Sequence, residues 1–297
     1  MLYQTMHLII VFIVCTVLKS TINGCPLVCS CTDTTTKCSN SNLTTIPSEI
    51  TNSTTTLELQ NNQLTTIQQE AFQDLPALRF LHLFSNQITA IQQETFQNLP
   101  ALYELRLYNN QITTIQQGTF QNLTELYQLY LYSNQITTIH PGAFRNLPKL
   151  GRLSLQKNQI TIIQQGTLLD LPSLYMVSLR NNRLTFIGND TFENLPKLKY
   201  LYLYNNQIST IQLGAFQNLQ DLYYLYLYSN QITSLQQELF QNLPALYRLY
   251  LYSNQITSLQ QGTFQDLPKL DRLYLSNNDL TVLEENIFQD LTALEDL

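Results

Sequence analysis

Apolar and polar residues alternate within one short segment that recurs along most of the chain. Each copy reads Leu-x-x-Leu-x-Leu-x-x-Asn-x-Ile, with small variations, and continues to an Ile or Leu, a Phe and usually a Leu-Pro pair. The asparagine recurs every 24 residues without insertion, at Asn62, Asn86, Asn110, Asn134, Asn158, Asn182, Asn206, Asn230, Asn254 and Asn278. Alternation with a period of two is typical of a strand with one buried face, and a fixed repeat of this length indicates stacked copies.

The repeat predicts a curved α/β solenoid with a parallel sheet on its concave side. In one copy Leu225 and Leu227 face the core while Tyr226 faces outward, and stacking places successive strands about 4.8 Å apart. The second half of the repeat predicts a convex side of short turns and 3₁₀ segments, where Phe completes the core and Leu168 replaces it once. We expect the asparagines to bond with backbone groups of adjacent turns, because buried amides need partners.

The two ends of the chain differ from the repeats. Residues 1–24 are predicted to be a signal peptide, because the apolar run from Leu8 to Leu18 has the length of a secretory h-region. A buried first strand or an anchor is the alternative. A cap over residues 25–53 and ten repeats over residues 54–293 follow. Residues 294–297 begin a further repeat, and we expect the natural protein to continue into a C-terminal cap, because an open apolar end is costly.

Four cysteines crowd into the predicted cap, namely Cys25, Cys29, Cys31 and Cys38. Behind a signal peptide this spacing predicts two disulfides, for which three pairings are possible. A zinc site is the alternative, but no histidine lies nearby and the secretory route is oxidising. A cross-linked cap would cover the apolar end of the first repeat without a core of its own.

Composition and motifs argue against two functional classes. Only 12% of the residues are charged and the net charge is -6, which suits an extracellular protein better than a nucleic-acid binder. No histidine has a spacing that builds a metal site or a nucleophile-base pair, so we expect no enzyme, no metal and no cofactor. His82 with Glu104 and Arg106 is expected to form an exposed polar cluster.

Tyrosine is concentrated at outward or flanking strand positions, where all but one of the 18 lie. Tyrosine offers a large, stiff contact at small entropic cost and is typical of binding surfaces. Copying of one repeat, together with the preference of tyrosine for strands, is the alternative explanation. The strand segments also carry more cations than acids. The cations are Arg79, Arg106, Arg152, Lys157, Arg180, Lys199, Arg248 and Arg272, and the acids are Glu58, Glu104 and Asp271.

Two consecutive repeats midway along the arc interrupt the aromatic pattern with Arg152, Gln156 and Arg180. We expect this polar band to be the centre of specificity and the tyrosines on either side to be anchors. Drift of two older repeats is the alternative. The candidate ligand-binding residues are Tyr108, Tyr130, Tyr132, Arg152, Gln156, Arg180, Tyr202, Tyr204, Tyr226, Tyr228, Arg248, Tyr250 and Tyr252.

Several segments are similar to those of a known family. They are Cys25-Pro-Leu-Val-Cys-Ser-Cys31, Ile46-Pro47, Leu129-Tyr-Leu-Tyr-Ser-Asn-Gln-Ile-Thr137 and Phe144-Arg-Asn-Leu147. The chain resembles extracellular leucine-rich repeat proteins, and most closely the variable lymphocyte receptors of jawless vertebrates and similar lancelet proteins. The resemblance implies a horseshoe fold, an immune role, and disulfides that join Cys25 to Cys31 and Cys29 to Cys38.

The sequence therefore predicts a secreted or surface-anchored solenoid that binds a protein or carbohydrate ligand on its concave sheet. Adhesion, guidance or matrix binding to a self protein is the alternative to an immune role. We expect no nucleic-acid partner, and membrane contact only through an anchor missing from this chain. Sequons predict N-glycosylation at Asn42, Asn52, Asn122 and Asn189.

Overall fold

The computed structural model describes residues 21–22 and 25–297, and its main feature is a 12-stranded sheet. Its strands are Ser30–Cys31, Thr35–Lys37, Thr56–Glu58, Phe80–His82, Glu104–Arg106, Gln128–Tyr130, Arg152–Ser154, Met176–Ser178, Tyr200–Tyr202, Tyr224–Tyr226, Arg248–Tyr250 and Arg272–Tyr274. The first two strands pair antiparallel and every later pair is parallel. The predicted solenoid with a concave parallel sheet is therefore confirmed.

Strand register places the same repeat position of every turn in one column. Leu225 pairs with Leu201 on one side and Leu249 on the other, and these leucines are fully buried. Tyr226 on the opposite face is partly exposed. A slip of one residue would turn the leucines outward, so burial of one face fixes the register.

The repeated asparagines hold neighbouring turns together. The side-chain amide of Asn158 donates to the carbonyl of Leu155 in its own turn at 2.9 Å and to that of Leu131 in the preceding turn at 3.1 Å. Its Oδ1 accepts from the N–H of Ile136 at 3.0 Å. The same three contacts recur at every repeated asparagine from Asn86 to Asn278, and we call these residues the ladder asparagines. The predicted pairing with the backbone is confirmed.

A column of phenylalanines fills the convex half of the core. The rings stack from Phe72 to Phe144 and again from Phe192 to Phe288, with neighbouring centroids 5.8 to 6.4 Å apart. Leu168 interrupts the column but remains buried, so the core is continuous through the turn that lacks the ring.

Outside the main sheet, the repeats are made of turns and three small parallel pairs of strands. The pairs are Thr114–Ile115 with Thr138–Ile139, Phe186–Ile187 with Thr210–Ile211, and Ser258–Leu259 with Val282–Leu283. The convex side takes the form of the predicted short turns, and the described residues contain neither an α-helix nor a 3₁₀ helix. No helix long and apolar enough to cross a membrane occurs in that part of the chain.

Two disulfides close the N-terminal cap. They join Cys25 to Cys31 and Cys29 to Cys38, which is the pairing that the family resemblance implied. The cap strand Thr35–Lys37 continues the sheet by pairing in parallel with Thr56–Glu58, so its backbone covers the end of the first repeat.

Only two residues of the predicted signal peptide fall within the described part of the chain. Thr21–Ile22 pairs antiparallel with Cys25–Pro26. The rest of residues 1–24, including Cys15, lies outside the described residues.

We predict that Asn158→Ala lowers the free energy of unfolding by about 1–3 kcal/mol, because it leaves the buried N–H of Ile136 without a partner. The carbonyls of Leu155 and Leu131 keep their bonds from Asn182 and Asn134. Urea denaturation followed by circular dichroism measures the change. Asn278→Ala is a matched control, because Asn278 makes the same contacts but is only half-buried, so water replaces part of them. An equal loss in both variants would contradict burial as the source.

Candidate ligand-binding surface

All 13 predicted ligand-binding residues lie on the concave face and are partly exposed. They occupy the outward strand positions and the position just after each strand. The register aligns them in columns that cross the strands, with an N-terminal aromatic group, a polar centre and a C-terminal aromatic group. The structure therefore brings residues from seven turns onto one continuous surface.

The N-terminal aromatic group consists of Phe84, Tyr108 and Tyr132, one from each of three turns. Their rings stack with centroids 4.5 and 4.4 Å apart. A second stack, Tyr103 on Tyr127, lies at the other end of the same strands. Tyr127 also covers Gly151 so closely that a Cβ there would lie 2.5 Å from the ring, which explains the glycine at this strand position.

The C-terminal aromatic group contains two parallel stacks. Tyr202, Tyr226, Tyr250 and Tyr274 form the first, with centroids 4.5 to 4.8 Å apart. Tyr204, Tyr228 and Tyr252 form the second, with centroids 4.3 and 4.4 Å apart. Because neighbouring rings cover one another's faces, these stacks present ring edges and hydroxyl groups rather than open faces.

Burial raises the pKa of four of the stacked tyrosines. Burial, together with the neighbouring Tyr108, raises the pKa of Tyr132 to about 12. Burial also raises the pKa of Tyr202, Tyr226 and Tyr228, and nearby tyrosines act in the same direction. These phenol hydroxyls therefore remain available as hydrogen-bond donors at neutral pH.

The polar centre is organised by two arginines packed against tyrosine rings. The guanidinium of Arg152 lies 5.9 Å from the ring centroid of Tyr175, and that of Arg180 lies 5.5 Å from that of Tyr204, whose hydroxyl it also contacts. Ser154 and Ser178 sit at the outward position that tyrosine holds in the later turns, yet both are buried. Short serines here leave room for the neighbouring long side chains to lie low over the sheet.

Charge is distributed unevenly along the concave face. Each of the three predicted acids of the strand segments already faces a cation: Lys37 lies 4.0 Å from Glu58, Arg106 lies 2.6 Å from Glu104, and Arg272 lies 3.2 Å from Asp271. Among the described residues, Arg152, Arg180 and Arg248 have no carboxylate partner. The ends of the face are thus neutralised internally, whereas the middle keeps its positive charge.

The prediction that His82, Glu104 and Arg106 form an exposed cluster is wrong. The Glu104 side chain is only 8% exposed and His82 only 16%, because His82 packs beside the ring of Phe84 and Glu104 is in contact with both His82 and Arg106. His82 Nε2 lies 3.4 Å from Glu104 Oε1, a contact whose geometry is too poor for a hydrogen bond. Burial raises the pKa of Glu104, but the contacts with His82 and Arg106 outweigh it and the net shift is downward.

The sequon asparagines lie away from the aromatic groups. Asn42, Asn52, Asn122 and Asn189 are all exposed. Asn122 lines a groove of about 720 Å³ on the flank, together with Pro148 and Pro196. This groove is far from the concave face, and its lining of turn residues holds no convergent set of charged groups, so we do not assign the ligand site to it.

The side chains of the described residues give little support for catalysis or metal binding. They contain no group of three His, Cys, Asp or Glu side chains that could hold a metal ion. The polar centre consists of arginines, serines, an amide and phenols, and these groups bind ligands by hydrogen bonds and charge.

The sequence predicted the columns of outward side chains but not how the side chains within a column pack on one another. It treated the tyrosines as separate anchors, whereas they stack on one another across the strands. It also omitted Tyr175, whose ring supports Arg152. Alignment of the repeats by their 24-residue spacing places Tyr175 one strand from Arg152, so the signal for this contact was present in the sequence.

The fold and its surface define an extracellular type of solenoid with a recognition face, and a family match agrees. The leucine rich repeat family matches residues 38–88, 85–136, 124–177, 172–232, 210–256, 220–280 and 244–297. The leucine rich repeat N-terminal domain matches residues 24–50. The chain belongs to the leucine-rich repeat family. No curated protein sequence matches it.

Solved structures of several complexes are similar to the chain. A chain of the octameric complex of Latrophilin 3, Unc5D and FLRT2, in which FLRT2 contributes leucine-rich repeats, is 29% identical with a TM-score of 0.77, covering 91% of this chain and 82% of that one. TLR13 in complex with ssRNA13 is 30% identical with a TM-score of 0.77, covering 82% of this chain and 35% of that one. The Drosophila Toll–Spatzle complex, at 23% identity and a TM-score of 0.77, covers 82% of this chain and 33% of that one and shows the fold alone.

The chain spans about a third of the length of the two Toll-type structures. Such similarity supports an extracellular ligand-binding domain as the class of protein. It leaves the kind of ligand open, because the similar complexes contain proteins in one case and RNA in another.

We predict that Glu104→Gln flattens the acid side of the stability profile. The pKa of Glu104 is lowered in the fold, so its charge stabilises the protein above its ordinary pKa near 4.5, and this stabilisation is lost as pH falls through the lower folded value. Urea unfolding from pH 7 to pH 3 measures the slope for both proteins. Glu125→Gln, which removes an exposed ion pair with Lys149, is the control and should leave the slope nearly unchanged. Equal slopes in wild type and Glu104→Gln would contradict the prediction.

Proposed function

We propose that this protein is a non-enzymatic recognition protein that binds a protein or carbohydrate ligand on its concave face. The observation that carries the proposal is the pair of neutral, stacked tyrosine groups that flank an unneutralised arginine centre. Aromatic side chains and arginine are the residues that contribute most to binding energy at interfaces. Copying of repeats accounts for the number of tyrosines, but it does not account for the arginine centre between them.

A nucleic-acid ligand is disfavoured for this chain, although one similar structure contains single-stranded RNA. Single-stranded nucleic acid is usually bound by open aromatic faces in a strongly basic groove. Here the faces of the tyrosines are covered by neighbouring rings, and the chain carries a net charge of -6. Ring edges and hydroxyls suit hydrogen-bonded contact with a protein or a sugar instead.

The biological role that we propose is immune recognition by a secreted or surface-anchored protein. Support comes from the resemblance of the cap and repeats to variable lymphocyte receptors. Adhesion or guidance through a self protein is the second candidate, and the likeness to a complex of Latrophilin 3, Unc5D and FLRT2 favours it. Any membrane contact is proposed to pass through an anchor outside this sequence.

We predict that the combined variant Tyr202→Ala, Tyr226→Ala and Tyr250→Ala weakens binding to the natural ligand at least about tenfold, because each buried aromatic contact contributes about 1 kcal/mol or more. The full chain is tested on an array of microbial glycans, intact bacteria and the organism's own cell-surface proteins. Selective microbial binding supports the immune role, and binding only to self proteins supports adhesion.

The control removes Gln207, Gln231 and Gln255, which are exposed on the flank of the same three turns. Their replacement by Ala should leave binding within about twofold, since isolated surface contacts contribute little. Binding that survives the tyrosine changes but is lost in the glutamine variant would place the site on the flank and contradict the proposal.

We also predict N-glycosylation at Asn42, Asn52, Asn122 and Asn189 when the chain passes through a secretory host, because all four are exposed sequons. Enzymatic removal of N-glycans should lower the mass of the secreted protein, and each Asn→Gln change should remove one glycan. Asn146→Gln on the same flank lacks a sequon and should change nothing. A secreted chain without glycans would contradict this part of the proposal.

A further inference from the structure

The positive charge at the middle of the concave face has no counterpart within the face. Between Glu104 and Asp271 the strands of the main sheet, the residue before each of these strands and the three residues after it carry no acid. Apart from Arg106, which pairs with Glu104, the cations at these positions are Arg152, Lys157, Arg180, Lys199 and Arg248. None of them has a carboxylate partner among the described residues. An excess of five positive charges on one face of an acidic protein indicates that the missing negative charge comes from the ligand.

The arginines are held by neutral groups that position them without cancelling their charge. Arg152 lies near the hydroxyls of Tyr130 and Tyr175, and Arg180 contacts that of Tyr204. Packing against aromatic rings orients a guanidinium while leaving its outer N–H groups free. Arg152 Nε and the Oε1 of Gln156 are buried and have no hydrogen-bond partner among the described residues. The centre therefore has one donor, one acceptor and positive charge that the fold itself does not satisfy.

The backbone beside these arginines shows a further departure from the repeat. The residue before each ladder asparagine has a positive φ, and it is Asn or Ser in every repeat except one, where it is Lys157 with φ 56°. A left-handed conformation suits Asn better than Lys, because the short amide bonds locally. The lysine adds a third cation next to Arg180, whose carbonyl accepts a hydrogen bond from the Lys157 N–H at 3.1 Å.

The unpaired cations lie between two parts of the concave face in which the charges are paired. Glu104 with His82 and Arg106 at one end, and Asp271 with Arg272 at the other, are internally paired. The same strand positions in the middle carry Arg152 and Arg248 without acids. A ligand that covers the face would meet neutral ends and a charged middle.

We propose that the centre formed by Arg152, Lys157 and Arg180 binds a carboxylate of an acidic segment of a protein partner. This inference rests on the proposed function and specifies its ligand. A carboxylate matches the planar fork of arginine in a bidentate contact. The edges and hydroxyls of the flanking tyrosines suit a protein or a sugar, but the stacked rings leave no open face for stacking on sugar rings, and a protein partner is therefore favoured over a sulfated sugar.

The test uses the full chain and a phage-displayed library of random linear peptides. Peptides that bind wild type and lose binding in Tyr226→Ala are kept, because these dock on the concave face. We expect an Asp or Glu at a constant place in the kept peptides. The combined variant Arg152→Gln and Arg180→Gln should bind them about 10- to 100-fold more weakly, as lost hydrogen bonds to a charged group imply.

A matched control separates local contact from general charge. Arg183 and Lys197 are exposed cations of the neighbouring turns that lie outside the sheet. Replacing both by Gln removes the same charge and should change affinity by no more than about twofold. Thermal unfolding of both variants, expected to match wild type, shows that the fold is intact.

A double-mutant cycle gives the decisive measurement. Changing the constant Asp or Glu of a peptide to Asn or Gln should weaken binding to wild type but have little further effect on the Arg152→Gln and Arg180→Gln variant. Equal losses against both proteins would overturn the proposal.

The library also separates this inference from the function on which it rests. Kept peptides without a constant acid would contradict the carboxylate site while leaving the concave face as the binding surface. A library that yields only peptides indifferent to Tyr226→Ala would contradict the proposed function itself. Displacement of the kept peptides by heparin or poly-uridylate in both wild type and the arginine variant would place polyanion binding elsewhere and overturn the proposal.

Discussion

Each turn of this protein depends on one side-chain amide that bonds to the backbone of two turns at once. Asn158 satisfies the N–H of Ile136, which has no other partner among the described residues, and it shares the carbonyls of Leu155 and Leu131 with Asn182 and Asn134. Because the same contacts recur down the stack, the backbones of successive turns are held at one separation around each asparagine, and the spacing along the chain is 24 residues throughout. Register on the concave face follows from this constraint.

Register in turn determines which outward side chains become neighbours. Residues 24 apart in the chain lie side by side, so Tyr202, Tyr226 and Tyr250 form one stack. Arg152 pairs in register with Met176, and its guanidinium reaches the ring of the preceding residue, Tyr175. The convex column of phenylalanines follows the same rule and breaks at Leu168, in the same turn that begins the polar centre. The same repeat thus positions the side chains of the concave face and those of the core.

Most of the fold was predictable because the same residue pattern occurs in all ten repeats. Alternation indicated the buried leucines, the fixed spacing indicated the stacking, and the family resemblance implied the pairing of Cys29 with Cys38. Bonding of the asparagines was predictable because a buried amide must find partners. These inferences rest on backbone rules that hold in every turn.

The details of the surface were not predictable in the same way. The burial of Glu104 and His82 depends on how neighbouring side chains of different size lie over them, and pattern alone does not give their rotamers. Acids pair with cations at the two ends of the face but not in the middle. This difference likewise depends on whether the side chains come within ion-pair distance. The position of each charge could be read from the sequence, whereas its neutralisation required coordinates.

The mutual stacking of the tyrosines lowers the entropic cost of binding a partner. A ring confined between two others has few rotamers left, so its conformational entropy is surrendered when the chain folds and not when a ligand arrives. Association with such a surface resembles the meeting of two rigid bodies. Replacement of one tyrosine also loosens the rings beside it, so the effects of substitutions within one stack are coupled rather than additive.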